Sequence, residues 1–190
     1  WTRFVATERW AALVDNDDWG LGVFKQDGAE FHGGIHGEGR SEDPKHGSTA
    51  YVAPIHMENF DHNIVFEHRT EFVVGKLADI RKRFNDMATR RPPAWRFARD
   101  RQHWTLRDAT DQGFPMRGEW RIQFGAKKPR LESPLQCWRA EQAPSAHLEI
   151  AYTGQATTAR VFWKRLDEDR YDSGKSLPLA LNPDGKFHSY

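Results

Sequence analysis

Short apolar and aromatic runs, each closed by a polar or glycine-containing turn, recur along almost the whole chain. A chain patterned this way is built to make sheets. Residues 4–14 and 19–25 read as two strands around Asp15-Asn16-Asp17-Asp18, whose short side chains bond to their own main chain and tolerate a left-handed backbone. Glu30–Ile35 is a further short strand, 36–49 a glycine-rich polar loop, and Ala50–Ile55 a brief strand. From Asn63 to Gly75, Ile64, Phe66, His68, Thr70, Phe72 and Val74 alternate with Val65, Glu67, Arg69, Glu71 and Val73, which predicts a long strand with one packed face. The period then changes. Leu77, Ile80, Phe84 and Met87 fall three or four apart and predict one amphipathic helix near 76–88.

Pro92-Pro93 cannot continue a helix, so the stretch Arg90–Pro93 is expected to be a boundary between units 1–90 and 91–190. Beyond it, strands are expected at 94–98, 103–108, 119–124, 133–140, 146–153, 158–164, 176–181 and 186–190, with Asp184-Gly185 as a hairpin turn. The expected class is all-β: an antiparallel, jelly-roll-like β-sandwich with one helix. The chain has 190 residues and only 38% hydrophobic side chains, but 8 Trp and 12 Phe, so rings must supply much of any core. It begins at Trp1 and stops at Tyr190 inside a strand pattern; a piece of a longer chain with further domains is expected.

Three stretches carry a family resemblance. Trp95-Arg96-Phe97-Ala98-Arg99-Asp100-Arg101-Gln102-His103-Trp104 looks like the opening strand of a sandwich module. Leu131-Glu132-Ser133-Pro134-Leu135 and Ala146-His147-Leu148-Glu149-Ile150 follow. Ala159–Lys164, Lys175–Leu179 and Pro183-Asp184-Gly185-Lys186-Phe187-His188-Ser189-Tyr190 complete the pattern. Together they resemble the β-sandwich carbohydrate-binding modules of exported bacterial carbohydrate-active proteins. The resemblance covers about half the chain and is a pattern of strands and turns, not a catalytic signature. It implies a secreted or periplasmic location and a polysaccharide or oligosaccharide partner.

Other classes lose support. Net charge is +1, with 28 basic and 27 acidic side chains interspersed, so nothing calls for a nucleic acid. No apolar run approaches the ~20 residues of a membrane-spanning helix. Cys137 is the sole cysteine, which leaves no intrachain disulfide and no cysteine zinc cage. Neither a phosphate-binding glycine loop nor a nucleophile elbow is present.

The densest mix of acid, base and amide is His56-Met57-Glu58-Asn59-Phe60-Asp61-His62-Asn63. Glu58, Asp61 and His62 are the candidate catalytic groups, able in principle to supply the acid and base of glycosidic cleavage. The plain alternative is a polar turn capped by Asp61. For ligand binding, Trp19 with Asp17 and Asp18 comes first, because an indole at a turn offers a stacking face beside carboxylates; Arg69 and Trp104 join it. Six histidines lie in the first 68 residues, but the sequence identifies no three that would share a metal. No cofactor is expected with any force; a structural calcium on Asp167-Glu168-Asp169 and Asp172 is the candidate ion. The expected function is a carbohydrate-binding or accessory region of an exported polysaccharide-processing protein. Two alternatives stay open: part of a glycoside hydrolase or polysaccharide lyase with its site at 56–69, and a structural or adhesive sandwich.

Overall fold

A computed structural model describes residues 2–36, 49–89 and 91–190. The chain is all-β with one helix, and its strands form six small antiparallel sheets among the described residues. Two compact units, Trp1–Cys137 and Trp138–Tyr190, divide it. Arg91–Pro93 therefore lies within the first unit.

In the first unit, β1 (Thr2–Val5), β4 (Glu30–His36) and β5 (Thr49–Pro54) make one sheet in the order β1-β4-β5. A second, ordered β2-β3-β6, joins β2 (Trp10–Val14), β3 (Trp19–Phe24) and β6 (Glu71–Lys76). The expected strand 4–14 is thus two strands, broken at Arg9, whose φ is +65°. The turn at Asp15 is as the sequence predicts: the Asp17 and Trp19 amides both donate to Asp15 Oδ1 at 2.9 Å, and Asp18 is left-handed at φ +59°.

Helix α1 (Leu77–Met87) matches its periodicity. Ile80 and Phe84 are fully buried against β3, where Phe84 stacks on Phe24 at 5.4 Å between ring centroids and meets Trp10 at 5.9 Å. Gly22 permits this approach, since a Cβ there would meet Ile80 and lie 2.7 Å from Phe84 Cε2.

The long strand expected at 63–75 is corrected to Glu71–Lys76. β6 borrows its ladder from β3, which runs only from Trp19 to Phe24, so residues 63–70 have no neighbour to pair with. Val65 is accordingly 78% exposed, whatever its alternation promises.

The rest of the unit is β7 (Thr105–Arg107), β8 (Ala109–Asp111), β9 (Ile122–Phe124) and β10 (Arg130–Glu132), paired β7 with β10 and β8 with β9. No strand forms at 94–98: the Arg96 and Phe97 amides both donate to Gln102 Oε1, and Phe97 is left-handed at φ +50°, so a side chain from the following turn takes the place of a neighbouring strand. The strand expected at 133–140 is also absent.

The second unit holds β11 (Glu149–Ala151), β12 (Thr158–Phe162), β13 (Ser176–Ala180) and β14 (Phe187–Ser189), after a 3-10 turn at Ala140–Gln142. β12 pairs with β13 and β11 with β14. Asp184-Gly185 is a tight turn, with Gly185 at φ +73° and Asp184 Oδ1 accepting the Lys186 amide at 2.9 Å. The strands it connects are not partners, so it is a corner and not the hairpin the sequence suggests.

Candidate functional site

Three segments distant in sequence meet at His103 in the first unit. The first follows β3. Lys25 is 1% exposed, its stem packed against Gly28, and its ammonium sits 2.6 Å from Asp27 Oδ1. The second is the loop 56–61. The third is the turn 100–104, in which Asp100 Oδ1 accepts the Gln102 amide at 2.8 Å and the Trp104 amide donates to the Arg101 carbonyl at 3.0 Å. Gln102 and His103 are both left-handed, at φ +47° and +65°. Two such residues in succession cannot continue a strand, and the chain turns at His103.

His103 bridges two carboxylates. Its Nε2 lies 2.8 Å from Asp27 Oδ2 and its Nδ1 3.3 Å from Glu58 Oε2. The same Glu58 oxygen lies 3.4 Å from His56 Nε2, and the two imidazoles meet edge to face at 4.4 Å between centroids. Phe66 stacks on His56 and lies roughly perpendicular to the His103 ring. Asn59 clamps the loop to the turn: its carbonyl accepts from Arg101 at 2.7 Å and its side-chain oxygen from the Leu106 amide at 3.2 Å.

The charges lock one another. Hydrogen bonds to Asp27 and Glu58 outweigh desolvation and push His103 up to about 9. Burial by itself would raise the Glu58 carboxyl, but hydrogen bonds from His103, His56 and the Asn59 amide hold it down at about 2. Asp27 is also lowered, with burial opposed by His103 and Lys25. One ligand atom from each of His56, Glu58 and His103 lies within 4.8 Å of the others, so these three side chains could hold a metal ion.

Beside this cluster runs an open groove of about 520 Å³ whose lining includes Arg9, Asp27, Arg91, Trp95, Asp100 and His103. Trp95 is half-buried and packs edge-on against Trp104 at 5.2 Å between centroids. The groove thus presents an indole with carboxylates, guanidinium groups and an imidazole around it.

The sequence-expected residues are distributed unevenly. Glu58 stands in the cluster. Asp61 turns the other way, with Oδ2 4.0 Å from the Arg101 guanidinium, and His62 is 83% exposed and bonded to Asp61 at 2.8 Å. Arg69 is exposed and pairs with Glu71 at 2.6 Å. Trp19 is 50% exposed at the head of β3, and Asp17 and Asp18 are exposed beside it; the Asp17 carbonyl accepts from Lys76 at 2.7 Å. Trp104 is enclosed by Trp95, Phe97 and Trp120, its Nε1 buried without a hydrogen-bond partner. In the second unit, Asp167 pairs with Arg165, Glu168 with Lys175 and Arg165, and Asp172 accepts the Gly174 amide at 2.7 Å, so cations and backbone already engage those carboxylates.

Lys25, Asp27, Trp95 and His103 are site residues that sequence reasoning passes over. A usable signal lies at Arg99-Asp100-Arg101-Gln102-His103, five consecutive polar residues between aromatic runs where a strand would alternate. No protein-family model, no curated protein and no solved structure matches this chain.

Proposed function

We propose that this chain is a carbohydrate-binding region of an exported polysaccharide-processing protein, its small sheets belonging to a jelly-roll-like sandwich, and that the groove beside His103 takes the saccharide. The observation that carries the reading is the half-buried Trp95 in that groove, which Asp27, Arg91, Asp100, Gln102 and His103 also line. The C–H face of a pyranose stacks on an indole, and its hydroxyls need donors and acceptors around the rim. At about 520 Å³ the groove falls in the size range of small-ligand sites, which runs from about 300 to 1,000 Å³.

A binding role is favoured over a glycosidase acid–base pair at Glu58 and Asp61. A general acid in such a pair needs a raised carboxyl pKa. Glu58 is instead held ionised by two imidazoles, and Asp61 stands outside the cluster, so the two carboxylates do not form a converging pair.

NMR titration against a panel of neutral and uronic-acid oligosaccharides tests the proposal. Shifts should centre on the Trp95 indole, and Trp95→Ala should weaken the best ligand by about tenfold or more. If Trp19→Ala abolishes binding while Trp95→Ala leaves it intact, the site belongs at the head of β3 instead. No saccharide bound by folded protein overturns the reading.

A further inference from the structure

We propose that His56, Glu58 and His103 form a three-ligand zinc site, with Asp27 as the carboxylate that orients His103. The spacing of the donor atoms is the first argument. The two contacts to Glu58 Oε2 are 3.3 Å from His103 Nδ1 and 3.4 Å from His56 Nε2. Both are long for an N–H···O hydrogen bond, whose ordinary range is about 2.7–3.2 Å. They match the edge of a coordination tetrahedron: bonds of about 2.0–2.1 Å place tetrahedral ligands roughly 3.3–3.4 Å apart. An octahedral ion with bonds of the same length needs adjacent ligands about 3 Å apart, so these two edges fit a tetrahedral ion better, and the third donor pair lies within 4.8 Å.

The surroundings are the second argument, and they are independent of the spacing. A zinc-bound histidine donates its other ring N–H to a carboxylate, which fixes the tautomer and turns the free lone pair to the metal. His103 has this arrangement: Nε2 is 2.8 Å from Asp27, leaving Nδ1 toward Glu58. Asp27 is itself anchored by the buried Lys25 at 2.6 Å. Phe66 adds an apolar ring beside both imidazoles, stacked on His56 at 5.7 Å and roughly perpendicular to His103 at 6.0 Å between ring centroids. Two histidines and one carboxylate leave the fourth position to water or a ligand, as in zinc sites that keep an open coordination position.

Calorimetric titration of chelator-treated protein with zinc chloride should give one ion per chain. Cobalt(II) in its place should give the intense visible absorption of a tetrahedral ion. His56→Ala and His103→Ala should each abolish stoichiometric binding. Asp27→Asn should weaken it about 10- to 100-fold while keeping the stoichiometry. His62→Ala, which removes an exposed imidazole outside the cluster, should change nothing. Circular dichroism on each variant separates lost ligation from lost fold, and the cobalt spectrum of the unaltered protein needs no variant at all. No stoichiometric zinc on folded protein, a weak octahedral cobalt spectrum, or equal losses for His62→Ala and His103→Ala would each overturn the assignment.

Discussion

Arg101 and Asp111 face each other through two parallel hydrogen bonds, Nε to Oδ2 at 2.6 Å and Nη2 to Oδ1 at 2.8 Å, with both side chains no more than 5% exposed. Trp120 Nε1 adds a third bond to Asp111 at 2.7 Å, and Arg101 reaches on to the Asn59 carbonyl and lies over the Phe114 ring. The pair therefore ties the loop carrying Glu58 to the turn carrying His103.

Removing one partner should cost far more than the pair's net contribution, because the other charge stays buried. Arg101→Met is expected to destabilise the protein by about 3–5 kcal/mol. Urea unfolding measures it, and a loss below about 1 kcal/mol would place this pair with weak surface bridges.

The same pair sets an acid limit. Burial opposes ionisation of Asp111, but Arg101, Trp120 and the Gly113 amide win and hold it down at about 2. An unfolded aspartate titrates near ~3.9. The folded pKa is the lower one, so this stability is complete above the unfolded value and drains away as pH falls from about 4 toward 2. Urea midpoints measured between neutral pH and pH ~3 should fall steeply for the native chain. Asp111→Asn should start lower and fall less; parallel curves would assign the acid sensitivity elsewhere.

The contact between α1 and β3 is predicted to be tight in both directions. Phe84→Ala should cost about 3–5 kcal/mol through the cavity it leaves. Gly22→Ala should cost about 1–3 kcal/mol because its methyl would press on Ile80 and Phe84. The two changes touch the same space, so the double variant should be less destabilised than the sum. Strict additivity in thermal unfolding would mean that Gly22 and Phe84 do not share a contact.

At the turn before β3, Asp15→Ala removes the acceptor for two backbone amides and should cost about 1–3 kcal/mol. Asp18→Gly should be neutral or stabilising, since residue 18 is left-handed at φ +59°. The melting temperature should therefore fall for Asp15→Ala and hold or rise for Asp18→Gly; a larger loss at Asp18 would refute the assignment of the cap to Asp15.

Local features were legible in the sequence where they depend on neighbours along the chain. The spacing of Leu77, Ile80, Phe84 and Met87 predicts α1, and Asp15–Asp18 predicts its turn, because a helix face and an Asx turn are decided within a few residues. Residues 63–70 show the opposite case: alternation says which side chains would share a face but nothing of whether a second strand is there to pair with. The site divides the same way. Glu58 stands out within a polar stretch, whereas Asp27 and His103 acquire meaning only from one another. Trp95 and Trp104 look alike in sequence, yet Trp95 lines the groove while Trp104 is boxed in by three rings.

The meeting of Asp27, Glu58 and His103 also bears on how the unit assembles. Glu58 and His103 are 45 residues apart, so their contact closes a long loop before any bond rewards it. Contacts of that span form late and slow folding. The turn at Asp15 and the helix can appear early from local interactions; the His103 cluster cannot. It is expected to lie on the native side of the folding barrier, where mutations chiefly quicken unfolding and leave the folding rate nearly untouched.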